Sequence, residues 1–191
     1  MTIRLHYFGI QENNGYGGAI GDAAIAGSGG AIGIKAESGN GFAGGAYSKT
    51  ATGGAAGSYA KTYVGEEIYG GSSGGAIGNC AESYDGAGAI GCGAVAETGG
   101  GSVGYTAYSQ EGGGSIGCMT YSDTGGGAIG YNAQAYLGGG SIGNGAYSET
   151  GGGAIGYCAT STSGGAVGYN AESTDGFAGG YNAKALADGS V

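Results

Sequence analysis

The chain has 191 residues, of which 54 are Gly, none is Pro and 10% are charged, and 14 acidic against 5 basic side chains give a net charge of −9. Bulky aliphatic and Phe residues are too few to fill an ordinary interior, which excludes a conventional globular enzyme. The charge disfavours nucleic acid and anionic lipid as partners, the pairs and triplets of Gly without Pro exclude collagen, and no apolar run is long enough for membrane insertion.

In chain order, residues 1–16 stand apart from the rest of the chain. They hold Ile3, Leu5, Tyr7, Phe8 and Ile10, the densest bulky cluster in the chain, and are expected to form an N-terminal cap or docking segment. No apolar secretory segment comes after the first six residues.

Residues 17–191 form a repeat. Its anchor is the Gly closing each copy of a short motif, at Gly21, Gly33, Gly45, Gly57, Gly78, Gly91, Gly104, Gly117, Gly130, Gly143, Gly156, Gly168 and Gly180. The spacings are 12 three times, 21 once, 13 six times and 12 twice. Counted from the anchor, position −2 is always Ala or Ser, positions +3 and +5 are always Ala, Ser or Thr, and position +4 varies freely, through Glu37, Lys49, Tyr108, Gln134 and Lys184. Small, variable, small is the pattern of a strand with one face packed and one wet.

Position −3 is Gly and −1 is Ile or Val in most copies, but Phe42-Ala43-Gly44 and Phe177-Ala178-Gly179 exchange the large and small residues. Positions two apart share a strand face, so the ring replaces the missing Ile and volume is conserved. That conservation predicts that the −3/−1 face is the inside. Gly54-Ala55-Ala56 lacks the compensation.

Each rung accommodates two strands of about four or five residues and two tight turns, and stacking at about 4.8 Å gives a rod of roughly 60 Å. The expected fold is therefore all-β, a parallel β-roll or β-solenoid of 12–13-residue rungs. The 21-residue interval, with an irregular or inserted rung at 58–75, is either a surface loop or a degenerate extra rung. One Ile and a few Ala per rung make a thin core, so association of several chains is expected. The last rung ends without a cap, which adds end-to-end association to the expectations.

The unit Ala128-Ile129-Gly130-Tyr131-Asn132-Ala133-Gln134-Ala135, in thirteen copies, closely resembles the YadA-like head repeats of trimeric autotransporter adhesins, and similar repeats occur in bacteriophage tail fibres. The resemblance implies a left-handed β-roll, three chains side by side as a homotrimer, exposure outside the cell, and attachment to a host-surface glycan or protein. Without a secretion signal the expected setting is a phage tail fibre or other virion appendage, joined at its N-terminus to another fibre or baseplate protein. A bacterial adhesin head fragment at the cell surface, or a self-polymerising extracellular filament, is the alternative.

No catalytic, cofactor or metal site is expected. His6 is the only His and no phosphate-binding Gly-Lys-Ser/Thr motif occurs. Cys80, Cys92, Cys118 and Cys158 lack metal-ligand spacing and are expected to be free, half-buried thiols. Asp85, Glu97, Glu111, Asp123, Glu149 and Asp175 recur six or seven after an anchor, as a solvated edge or a row of Ca²⁺ ligands. Tyr105, Tyr131, Tyr157, Tyr169 and Tyr181, one after the anchor, are expected to stack as a ladder. The candidate surface-binding residues are Tyr108, Tyr121 and Tyr147, at the outward +4 position, with Glu66, Glu67 and Tyr69 of the insertion.

Overall fold

A computed structural model describes residues 12–13, 18–63 and 74–186. Its regular structure is all β, with no helix among the described residues, in two parallel sheets. One sheet has 13 strands, from Gly18–Ile20 to Phe177–Gly179, each holding positions −3 to −1. The other has 14 strands, from Glu12–Asn13 to Lys184–Ala185, holding +4 and +5. We call these the triplet and doublet sheets. Two triplet strands, Gly114–Cys118 and Gly127–Tyr131, extend to five residues. The strands are shorter than expected because two turns and the inward step at +3 occupy the rest of the rung.

Every strand pairs with its counterpart in the adjacent rungs, anchor over anchor, as in Gly127↔Gly140 and Gln134↔Tyr147. The chain is thus a β-solenoid, as the spacing predicts. Strand Gly54–Ala56 pairs directly with Gly75–Ile77, and Lys61–Thr62 with Glu82–Ser83. The described strands on either side of the long interval thus pair directly with one another. Residues 64–73, like all of the expected cap segment 1–16 except residues 12–13, lie outside the described residues.

The turns explain the two rung lengths. The N–H of each anchor bonds the −1 carbonyl one rung back, as Gly143 to Ile129 at 2.9 Å, and the +2 N–H bonds the preceding +1 carbonyl, as Asn132 to Cys118 at 2.9 Å. The first turn is therefore stitched to its neighbour and keeps the same length in all described rungs. Each 13-residue rung adds one residue in the second turn, a left-handed Gly at +8 such as Gly125 (φ 67°) or Gly138 (φ 78°). The anchor is Gly for a separate reason. At Gly130, φ is 139° and a Cβ would stand 2.2 Å from the carbonyl oxygen of Gly143, so backbone packs on backbone all along this column.

Three columns fill the interior, −2, +3 and +5, for example Ala128, Ala133 and Ala135, all with no exposed surface. Among the described residues nothing larger than Thr62 or Thr120 is fully buried. Several of the Ser that replace Ala bond within the narrow space, as where Ser141 Oγ donates to the Gln134 carbonyl at 2.5 Å and contacts Ser148 Oγ at 3.0 Å, whereas the buried Ser122 Oγ has no partner.

The expectation that the −3/−1 face is inside is wrong. The ten Ile and Val residues at −1 are 40–55% exposed, while Ala or Ser at −2 points inward. The physical reason is width: two sheets separated by Ala, Ser and an occasional Thr leave no space for a continuous column of Ile and Val, so alternation sends it outward. The Phe-for-Ile exchange is nevertheless real. A Cβ at Gly44 would lie 2.7 Å from Cε1 of Phe42, so the ring occupies the place of the missing side chain. What it conserves is an outer ridge.

Candidate functional site

The two outer faces differ in composition. The doublet face presents +4 and +6, and the +4 column reads, from Glu37 onward, Glu37, Lys49, Lys61, Glu82, Val95, Tyr108, Tyr121, Gln134, Tyr147, Thr160, Glu172 and Lys184. Near both ends this column pairs its own charges between adjacent rungs: Lys49–Glu37 at 2.9 Å, Lys61–Glu82 at 3.3 Å and Lys184–Glu172 at 2.8 Å. Lys35 lies over the Tyr47 ring, 5.5 Å from its centroid. Between Lys61 and Lys184 the sequence has no Lys, Arg or His. The middle of the face is accordingly aromatic and acidic.

There the structure brings Tyr108, Tyr121 and Tyr147 together through a fourth ring, Tyr136. Tyr108 stacks on Tyr121 with centroids 5.3 Å apart and planes within 4°. Gln134 interrupts the +4 column in the next rung, and Tyr136 leans in from +6 to bridge the gap, 5.2 Å from Tyr121 and 5.6 Å from Tyr147, tilted by 40° and 50°. Tyr136 was missed from sequence because only the +4 column was followed. The signal available was that Tyr63, Tyr84 and Tyr136 all stand at +6, and the first two also stack, at 4.5 Å and 7°.

The hydroxyls are tied to neighbouring acceptors. Tyr108 Oη donates to Glu97 Oε1 at 2.6 Å, one rung back, and Tyr84 Oη donates to Glu82 Oε2 at 3.0 Å. The bond to Glu97, then burial, holds the Tyr108 phenol well above its ordinary range. Burial first, then the bond to Glu82, pushes Tyr84 up to about 12. Burial and Asp123 raise Tyr121, and burial and Glu149 raise Tyr147. At neutral pH the strip is a set of protonated phenols beside carboxylates. In the stacked pair the ring faces cover one another, leaving edges and hydroxyls outward, whereas the tilted Tyr136 and Tyr147 offer face as well.

Elsewhere, Tyr157, Tyr169 and Tyr181 stack on consecutive rungs at 5.0 and 5.1 Å, as the ladder expectation requires. Tyr105 and Tyr131 share their column but have Cys118 in the rung between them. A further pair, Tyr47 and Tyr59 at +2, stacks at 5.0 Å. All four Cys are free, but they sit in or beside the first turn, where Cys80, Cys92 and Cys158 are exposed and only Cys118 is half-buried. Among the described residues no three of His, Cys, Asp and Glu come close enough to hold a metal ion, so the acidic positions are spread along the edge. Glu66, Glu67, Tyr69 and His6 lie outside the described residues.

The triplet face has no charged side chain in any rung. It consists of the −1 ridge of Ile and Val beside a −3 column of Gly. Comparison with known proteins finds no matching family model, no similar curated protein and no similar solved structure.

Proposed function

We propose that the chain is a non-enzymatic segment of an attachment fibre, a phage tail fibre or related virion appendage working outside the cell. Three chains run side by side, each coiling left-handed, and the doublet face meets a glycan or protein of the host surface. The observation that carries this reading is the stack itself: one register runs from Glu12 to Ala185, with backbone bonded to backbone at each step. Such a rod is a spacer by construction. The Tyr strip supplies weak contacts, and presenting it several times on one stiff body turns weak contacts into avidity. The likeness of the Ala-Ile-Gly unit to adhesin-head and tail-fibre repeats supports the trimer, the handedness and the setting. The partner at the N-terminal segment is then another fibre or baseplate protein.

The test is binding of the labelled, purified chain to a glycan array and to whole bacteria, beside Tyr121→Ala and Tyr147→Ala variants checked for an unchanged β spectrum. Binding that falls in both variants supports the reading. A well-folded rod that binds neither glycan nor cell overturns attachment and leaves a bare spacer.

A further inference from the structure

A rod whose interior is Ala, Ser and an occasional Thr gains little from burial, and its four thiols are free. The chain has sixteen Tyr and no Trp. Tyr47–Tyr59, Tyr63–Tyr84, Tyr108–Tyr121 and Tyr157–Tyr169–Tyr181 stack across adjacent rungs within 9° of parallel. Two of these stacks also carry a base. Tyr84 Oη donates to Glu82 Oε2 at 3.0 Å and Tyr108 Oη to Glu97 Oε1 at 2.6 Å, both within reach for a carboxylate to take up the proton. The pairs Tyr47–Tyr59 and Tyr157–Tyr169 show no such bond among the described residues. Tyr63–Tyr84 is the tightest of the stacks, with centroids 4.5 Å apart. Its backbones are locked side by side, because Lys61–Thr62 pairs with Glu82–Ser83 and the Tyr63 N–H bonds the Ser83 carbonyl at 2.8 Å. The carboxylate is held too, by Lys61 Nζ on Glu82 Oε1 at 3.3 Å.

We infer that Tyr63 and Tyr84 are a site of oxidative ring-to-ring coupling, with Tyr108 and Tyr121 as a second, the oxidant being a peroxide acting through a haem peroxidase. This assignment stands independently of the attachment reading. Each phenol gives up one electron to the oxidant and one proton, that of Tyr84 passing to Glu82. The two radicals join through the ring carbons beside their hydroxyls. The hydrogens on those carbons leave as protons and each oxygen regains one, so both rings are phenols again. In sum two C–H bonds break, one C–C bond forms, and the two electrons and two protons released turn one hydrogen peroxide into two waters. In the coupled product the ring centroids stand slightly closer than in the 4.5 Å stack, so bonding requires rotation of the rings and little movement of the backbones. The position has a consequence for stability. Tyr63 and Tyr84 bracket the long interval, the one place where successive anchors are 21 residues apart rather than 12 or 13. A bond there closes that loop and, by restricting the unfolded chain, stabilises the rod as a disulfide would.

The test treats the purified full chain with hydrogen peroxide and a haem peroxidase, peroxide being limiting, then digests it and reads the linked peptides by mass spectrometry. The main product is expected to be a 63–84 pair lighter by two hydrogens, followed by 108–121, with 47–59 and 157–169 several-fold lower and all yields unchanged by dilution. Glu82→Gln is expected to lower the 63–84 product several-fold and spare 108–121, and Glu97→Gln to do the reverse. The spared pair in each variant reports that the rod has folded. The cross-linked chain is expected to denature at a higher midpoint than the untreated chain, and Tyr63→Phe to lose that gain. Products ranked by exposure alone, with 157–169 and 169–181 dominant, or a 63–84 yield indifferent to Glu82→Gln, would overturn the assignment. An unchanged midpoint would overturn the stabilising role. Cell binding enters none of these readouts, so the attachment reading and the coupling site fail separately.

Discussion

The doublet and triplet faces are built on one ladder, by one alternation rule, and they treat their side chains oppositely. On the doublet face the neighbours along the rod complete each other: Glu37 pairs with Lys49, Tyr108 stacks on Tyr121 and bonds Glu97. On the triplet face Ile129 stands 45% exposed beside an empty Gly127 column, and the same is true rung after rung. Leaving half of an Ile in water forgoes roughly 1 kcal/mol per rung. The difference teaches that in so narrow a solenoid, size and not hydrophobicity decides what is inside. The apolar surplus is displaced to a face where only another molecule can use it.

The sharpest way to break this contrast lies within a single strand. Gly130→Ala must hold φ near 139° and place its Cβ 2.2 Å from the Gly143 carbonyl. A loss of roughly 3 kcal/mol or more is expected, measured by chemical denaturation. Gly127→Ala, three residues earlier, meets nothing, and the isolated chain should be unchanged or up to about 1 kcal/mol more stable. Equal losses in the two variants would mean that the columns are misassigned.

Next in size is the interior against the ridge. Ala128→Leu forces a large side chain into a fully buried column and should cost about 1–3 kcal/mol. Ile129→Ala should cost the isolated chain less than about 1 kcal/mol, since its side chain is already half in water. If Ile129 proved the more sensitive site in a monomer, the ridge would have to be core.

Alkali probes the doublet face. Tyr84 is raised to about 12 and Tyr108 is raised by Glu97, against an ordinary phenol near 10. Unfolded chains therefore release these protons first, so stability is fully present below about pH 10 and falls as pH climbs toward 12. Denaturation midpoints across that range should show the decline, and Tyr108→Phe should flatten it, while costing about 0.5–1.5 kcal/mol at neutral pH for the lost hydrogen bond. A midpoint independent of pH to 12 would remove the proposed coupling. The smallest effect is expected from Glu37→Gln, whose partner is an exposed Lys: about 0–1 kcal/mol, vanishing in high salt.

Much of the architecture is legible in the sequence. Anchor spacing announces the rungs and their register, and invariant small residues at +3 and +5 mark two columns that are indeed buried, whereas taking the −3/−1 face as inside put the equally small −2 column on the wrong side. The outward placement of Tyr108, Tyr121 and Tyr147 comes from the same count. A one-dimensional repeat permits this, because each residue's environment is repeated by its neighbours one period away. The tertiary structure decided what lies across the rung. How closely two sheets of Ala and Ser approach determines that Ile129 must leave, and the lateral reach of Tyr136 past Gln134 joins two halves of an aromatic strip. Both are distances perpendicular to the repeat, set by packed side-chain volume, and periodicity along the chain carries no information about them.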